Sequence, residues 1–128
     1  MAYRKSLDKY DAIGDMRKIM DDCIFCKIAK KEIPKEFTYE DDDLMVFPDI
    51  SPVKPVHLLV IPKKHIEDFA HVTDPVLMSK IWQTVQLMIT KMGLTGKGVR
   101  IIVNAQGAQI VPHLHIHLMG PIGHAVKD

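Results

Sequence analysis

Three histidines alternate with aliphatic residues in His113-Leu114-His115-Ile116-His117-Leu118-Met119, close to the C-terminal end of a 128-residue chain. In a strand successive side chains point to opposite faces, so residues 113, 115, 117 and 119 share one face and Leu114, Ile116 and Leu118 the other. The aliphatic face belongs to a core and the histidine face to chemistry. At ~3.3 Å per residue a straight strand sets His113 and His117 roughly 13 Å apart, too far for all three to bind one metal, so the row suits an extended ligand. A phosphate fits. A neutral imidazole at the centre is a nucleophile, and a neighbouring imidazolium can neutralise phosphoryl oxygens or protonate a leaving group. Like charges in a row oppose protonation of all three, which keeps a neutral nucleophile near pH 7. A solvated histidine strand or an adventitious metal binder is the competing reading; three histidines in register opposite three aliphatics favour a site.

Cys23 and Cys26 form a second group of chemically able residues. They are too close for the loop entropy of a structural disulfide, and no secretory signal precedes them, so a reducing, cytoplasmic setting is expected. By itself the pair is compatible with burial, redox activity or metal binding. With 17 Lys and Arg against 16 Asp and Glu, the net charge of +1 supplies no field for nucleic acid or an anionic membrane. Any phosphate must be gripped locally. No apolar run approaches the ~20 residues of a membrane-spanning helix.

The elements that must position these residues read as a small α+β domain with antiparallel strands and one main helix. Residues 1–20 are charge-rich, broken by Gly14, and are taken as an N-terminal extension with a short helix near Asp15 to Met20; residues 21–128 form the domain. Phe37 to Glu40, the acidic turn Asp41-Asp42-Asp43 and Leu44 to Phe47 read as a hairpin. Pro48, Pro52 and Pro55 make the next stretch a loop at a binding face. His57 to Ile61 is a buried strand stopped by Pro62, and Val99 to Val103 is another. Between them Thr73 or Asp74 caps a helix with Pro75 at its first position, ending near Met92 before Gly93. Its apolar stripe is Val76-Leu77, Ile81, Val85 and Met88-Ile89. Trp82 and the helix methionines suit either core or a subunit interface, core first.

The segment HLHIHLMG resembles the signature of the histidine-triad family, and the likeness extends further. Cys23-Ile24-Phe25-Cys26-Lys27-Ile28, Lys31-Glu32-Ile33-Pro34, Phe47-Pro48-Asp49-Ile50-Ser51-Pro52, Pro55-Val56-His57 and Val60 to Ile66 are similar to the Hint-like branch in order and spacing, covering about Asp22 to Gly120. The resemblance implies a five-stranded antiparallel sheet with one long and one short helix, paired into a homodimer. It further implies a purine nucleotide-binding hydrolase that cleaves AMP conjugates, nucleoside 5'-phosphoramidates, through a nucleotidyl-histidine intermediate. On that pattern His115 is the nucleophile, His117 contacts the phosphate and assists the leaving group, and His57 orients the triad from behind. Asp49 would hold the ribose hydroxyls, although beside its prolines it would equally brace a turn. Ile24, Phe25, Ile28, Phe47, Ile50 and Leu59 would line the base slot, positions that without the resemblance read as core. Asn104 and Gln109 would contact the phosphate.

The resemblance also supplies partners for the cysteines: zinc-bearing members of the wider superfamily place ligands at the positions of His65 and His113, which gives Cys23, Cys26, His65 and His113 as a structural zinc set. His113 then leaves catalysis. His71 and His124 read as surface residues. In the loop before the triad this chain departs from the family, being about two residues shorter between Asn104 and Gln109, with Ala108 for a glycine and Ile110 for a hydroxyl residue. A lost hydrogen bond to a charged phosphate is worth roughly 1.5–3 kcal/mol. Asymmetric hydrolysis of dinucleoside polyphosphates, a non-catalytic nucleotide-binding or interaction module, and an H-x-H metalloenzyme are the alternatives.

Overall fold

The computed structural model describes residues 22–124. The expected helix near Asp15 to Met20 lies outside the described residues. In chain order the elements are α1 (Ile24–Ala29), β1 (Tyr39–Glu40), β2 (Leu44–Pro48), β3 (Val56–Pro62), a 3-10 turn (Phe69–His71), α2 (Pro75–Lys91), β4 (Arg100–Val103) and β5 (Ile116–Gly120). The five strands make one sheet in the order β1-β2-β3-β5-β4, every neighbouring pair antiparallel. This is the α+β architecture expected from the sequence, with one long and one short helix.

The register explains how the sheet separates core from chemistry. Val46, Val60, Ile116 and Val103 are cross-strand partners in one row, and Phe47, Leu59, His117 and Ile102 in the next. Because the side-chain period is two, these rows face opposite ways. The first row packs with Leu77, Ile81, Val85 and Met88 of α2. The second faces Phe25 and Ile28 of α1. The middle strand β3 is therefore buried on both faces, which is why it reads as a continuous apolar run rather than an alternating one.

Helix α2 begins where the sequence places it. The Asp74 carboxylate accepts from the amides of Val76 at 2.9 Å and Leu77 at 3.3 Å, with Pro75 in the first turn. Its stripe is narrower than expected: Val76 is exposed, and Trp82 and Leu87 lie on the open face while Leu77, Ile81, Val85 and Met88 are buried. A residue one step beyond Ile81 is rotated about 100° around the axis, which carries Trp82 out of the core. Gly98, at φ +82, leads into β4, and a Cβ there would stand 1.9 Å from the Gly123 carbonyl oxygen, so only glycine permits that crossing.

The triad segment differs from the straight strand read in the sequence. Strand β5 begins at Ile116, so His113 and His115 precede it. Two contacts pull the chain off the ladder there: the His113 amide donates to the Val111 carbonyl at 2.8 Å, and the Leu114 amide to the Ile66 carbonyl at 2.7 Å. Pro112 between them has no amide to give. The alternation of faces survives, since Leu114, Ile116 and Leu118 all enter the α2-side core.

Candidate functional site

His115 is buried, and its Nδ1 lies 2.8 Å from the His113 carbonyl oxygen. A carbonyl only accepts, so Nδ1 carries the proton and Nε2 keeps its lone pair. Burial pushes the His115 pKa below the ordinary histidine value, against the hydrogen bond to His113, and so favours the neutral ring. A buried neutral imidazole whose Nε2 carries a lone pair can act as a nucleophile.

His117 and His57 are fixed by the same logic. The Val53 amide donates to His57 Nδ1 at 3.1 Å, which forces the proton of the neutral ring onto Nε2. His57 Nε2 stands 3.0 Å from His117 Nδ1 and donates to it. The proton of neutral His117 is thereby placed on Nε2. Burial, then the charges of His115 and His57, hold its pKa below the usual value. The Asp49 carboxylate is 3.4 Å from His57 Nε2 and 3.8 Å from His117 Nδ1, while its other oxygen accepts from the Ser51 amide at 2.8 Å. The bond to Ser51 shows the turn-bracing reading of Asp49, and its other oxygen faces the histidines.

These groups stand in a cleft of about 440 Å³, lined by His115, His117 and Asp49 together with the apolar Ile24, Phe25, Ile28, Phe47, Ile50 and Leu59. Phe25 packs edge-on against His115 at 5.2 Å between ring centroids and against Phe47 at 6.1 Å, so one aromatic joins the apolar slot to the histidine row. The volume lies within the usual range for a small-molecule site. Asn104 lines the cleft, as do Ala108 and Ile110. Gln109 does not: its Oε1 accepts from the Gly107 amide at 3.0 Å and its Nε2 donates to the Glu67 carbonyl at 3.3 Å. Lys35 and Ser51 also line it, with Lys35 Nζ 4.8 Å from the Phe47 ring centroid. Neither was singled out in the sequence, because a lysine after Pro34 and a serine between prolines carry no pattern until the fold brings them to the cleft.

On the far side of Phe25 the second constellation converges. His113 Nε2 donates to the Pro62 carbonyl at 2.7 Å, which turns its unprotonated Nδ1 towards Cys23 Sγ at 3.3 Å and Cys26 Sγ at 3.5 Å. His65 Nδ1 lies 3.1 Å from Cys26 Sγ. All four ligand atoms lie within 4.8 Å of one another. A tetrahedral ion with Zn–S of ~2.3 Å and Zn–N of ~2.0 Å has sulfur-to-nitrogen edges of roughly 3.5 Å, so the donor set fits one. The neighbouring Cys26 thiol is the main influence holding the Cys23 thiol below its ordinary value against the effect of burial, which favours the thiolate a metal needs. Cys23, Cys26, His65 and His113 are positioned to hold a metal. The bond to Pro62 is the second contact that usually orients a ligating histidine. Helix α1 makes the pairing local, since Cys23 and Cys26 are three residues apart and share one side of its first turn.

Asp49, His57 and His117 also approach one another closely enough to suggest a metal. The Val53 amide argues against it. A neutral histidine bound to metal through Nε2 must carry its proton on Nδ1, where the amide already points. His57 and His117 are joined instead by a hydrogen bond, with the Asp49 carboxylate beside it. Of the remaining histidines, His71 and His124 are exposed as expected, but His71 Nδ1 is 2.6 Å from the buried Asp68 carboxylate.

Fold and site together define a small α+β domain built around a histidine row at the floor of a cleft, with a four-residue metal set behind it. The chain belongs to the HIT family: the HIT domain model matches residues 30–124. It is 46% identical over 105 residues to Protein HitA of Neisseria gonorrhoeae, covering 79% of this chain and 97% of that one. It is 38% identical over 114 residues to a 14 kDa zinc-binding protein of Brassica juncea, covering 77% of this chain and 92% of the relative. The crystal structure of a HIT family hydrolase from Legionella pneumophila Philadelphia 1 matches with a TM-score of 0.72 at 42% identity, over 77% of this chain and 92% of that chain.

Proposed function

We propose that this chain is a purine nucleotide-binding hydrolase that cleaves AMP conjugates, nucleoside 5'-phosphoramidates in particular, through a nucleotidyl-histidine intermediate on His115. The observation that carries this reading is the tautomer chain: the His113 carbonyl accepts from Nδ1–H of His115, while the bonds from Val53 to His57 and from His57 to His117 leave the proton of His117 on Nε2. One ring offers a lone pair, and its neighbour a proton. In the first step His115 Nε2 bonds to the α-phosphorus, the bond to the leaving nitrogen breaks, and that nitrogen takes the Nε2 proton of His117. The His113 carbonyl stabilises the positive ring that forms. In the second step water attacks phosphorus, the bond to His115 breaks, and the water proton returns to His117. Asp49 is suited to the ribose hydroxyls, the apolar residues from Ile24 to Leu59 to the base, and Asn104 to the phosphate.

Lys35 is the sole lysine or arginine among the described residues that line the cleft. That is sparse charge for a polyphosphate leaving group, which places dinucleoside polyphosphate hydrolysis second. Turnover of adenosine phosphoramidate against diadenosine polyphosphate ranks the two. The experiment that tests the central reading is quenching during turnover with alkaline denaturant, which preserves a phosphorus–nitrogen bond, and mass spectrometry of the triad peptide. An AMP adduct on His115 is expected; its absence during rapid turnover sinks the mechanism, and a chain with no turnover is a binding module.

We assign the Cys23, Cys26, His65 and His113 set to a structural zinc. Its thiol-and-imidazole chemistry supports this, as does the zinc binding named for the Brassica juncea relative. When bound, the ion would tie α1 to the start of the triad segment; the steps at His115 require no metal. That Cys23 and Cys26 form no disulfide also supports a cytoplasmic setting, and no described helix is long and apolar enough to cross a membrane. A homodimer is supported by β4 at the sheet edge with its exposed Ile101, and by the exposed Trp82 and Leu87 on α2, and sedimentation can test it.

A further inference from the structure

One buried carboxylate takes no part in the steps above. Asp68 is 1% exposed, and both its oxygens are fully engaged. Oδ1 accepts from the Ala70 amide at 3.0 Å and from His71 Nδ1 at 2.6 Å. Oδ2 accepts twice from one residue, from the Gln106 amide and from Gln106 Nε2, each at 2.8 Å. Burial alone would push this carboxyl up, but the bonds from His71 and Gln106 hold it below its usual value.

Gln106 sits at the tip of the shortened loop. Its backbone is left-handed, at φ +56, and Gly107 follows at φ +95. A non-glycine residue keeps such a backbone only where its surroundings hold it. Residues on both sides of this tip, Asn104 before it and Ala108, Ile110 and Val111 after it, line the cleft beside His115 and His117. Other bonds seat the same stretch on the same seam: Gln109 Nε2 on the Glu67 carbonyl and the Leu114 amide on the Ile66 carbonyl. Asp68 holds this stretch through its side chain.

We infer that Asp68 is a positioning residue for the phosphate side of the cleft: by clamping Gln106 through its main-chain and side-chain nitrogens, it holds residues 104–111 where a ligand's phosphate meets His115 and His117. The inference rests on the nucleotide reading above and adds to it the device that replaces loop length. A clamp of this kind affects ligands that carry a phosphate and spares those that do not.

The test compares AMP with adenosine on the full chain, by calorimetry or ligand-observed NMR, with folding checked by circular dichroism. For Asp68→Ala, AMP binding weakens about tenfold, the scale of one charge-assisted hydrogen bond, and adenosine binding changes by less than about twofold. Gln106→Gly keeps the main-chain bond, suits the left-handed backbone and deletes the side-chain bond, so AMP binding weakens about threefold. Unchanged AMP affinity in Asp68→Ala, or an equal loss for adenosine and AMP, overturns the inference. If Asp68→Ala does not fold, Gln106→Gly decides, and AMP affinity equal to wild type overturns it. Failure of the nucleotide reading looks different: the wild-type chain then binds neither ligand.

Discussion

His57 Nε2 stands 3.0 Å from His117 Nδ1 across the paired strands β3 and β5, although sixty residues separate the two in the chain. The Val53 amide on the far side of His57 makes the contact directional, with His57 donating and His117 accepting. In the proposed mechanism His57 therefore acts through His117. Replacing His57 by Ala frees the His117 ring to take either tautomer. The expected result is a fall in kcat of roughly a hundredfold with little change in KM, measured on adenosine phosphoramidate.

His115 is a different case, because in the proposed mechanism the bond that forms to phosphorus is its own. For His115→Ala, turnover falls at least about a thousandfold, some 4 kcal/mol in the barrier. AMP affinity stays within a few fold of wild type, since the slot from Ile24 to Leu59 is untouched. Retained turnover would mean that another residue is the nucleophile.

Much of this site was legible before the fold. The alternation in residues 113–119 gave the two faces, and Leu114, Ile116 and Leu118 all enter the α2-side core. Asp74, Pro75 and Gly93 marked the ends of α2 through local chemistry that needs no tertiary context. What the sequence could not show depends on contacts between distant residues. The departure of His113 and His115 from β5 follows from the Leu114 bond to Ile66, and the outward turn of Trp82 follows from which flank of α2 meets the sheet. Gln109 matches a phosphate-contact position by resemblance, yet in the shorter loop its amide is spent on Gly107 and Glu67. Asp68 and Lys35 gave no sequence signal, because neither belongs to a periodic pattern.

The metal set predicts a stability effect separable from chemistry. Its ligands come from α1, from the stretch after β3 and from the approach to β5, so an ion there cross-links three parts of the chain. One zinc per chain is expected from elemental analysis of protein purified without chelator. Cys23→Ser or a strong chelator lowers Tm by roughly 10 °C or more, because a structural zinc contributes several kcal/mol and each is worth several degrees in a domain this size. Full zinc occupancy in Cys23→Ser excludes Cys23 as a ligand.

The Asp68 clamp predicts a pH dependence of stability. Its folded pKa lies below the ordinary 3.8, so as pH falls the unfolded chain takes up this proton first. The stabilisation is therefore fully present above the ordinary value and is lost as pH falls through the folded one. In urea denaturation the gap in midpoint between wild type and Asp68→Asn is widest near pH 6 and narrows towards pH 3. A gap that stays constant across this range removes the ionised carboxylate as its source.

Ile110 offers a prediction of gain. It lines the cleft beside Asn104, yet its side chain is 96% exposed, so it adds almost nothing to the core. In the family resemblance this position carries a hydroxyl that donates to the phosphate, a bond worth roughly 1.5–3 kcal/mol when the acceptor is charged. Ile110→Ser removes an apolar group from water and restores the donor. Stability in urea should shift by less than about 0.5 kcal/mol, as expected for a surface position. Because the loop is held by Asp68 rather than by Ile110, its shape should survive the change. The expected outcome is a rise in kcat/KM of about tenfold, read on adenosine phosphoramidate at neutral pH. No rise would mean that the shortened loop holds residue 110 out of reach of the phosphate.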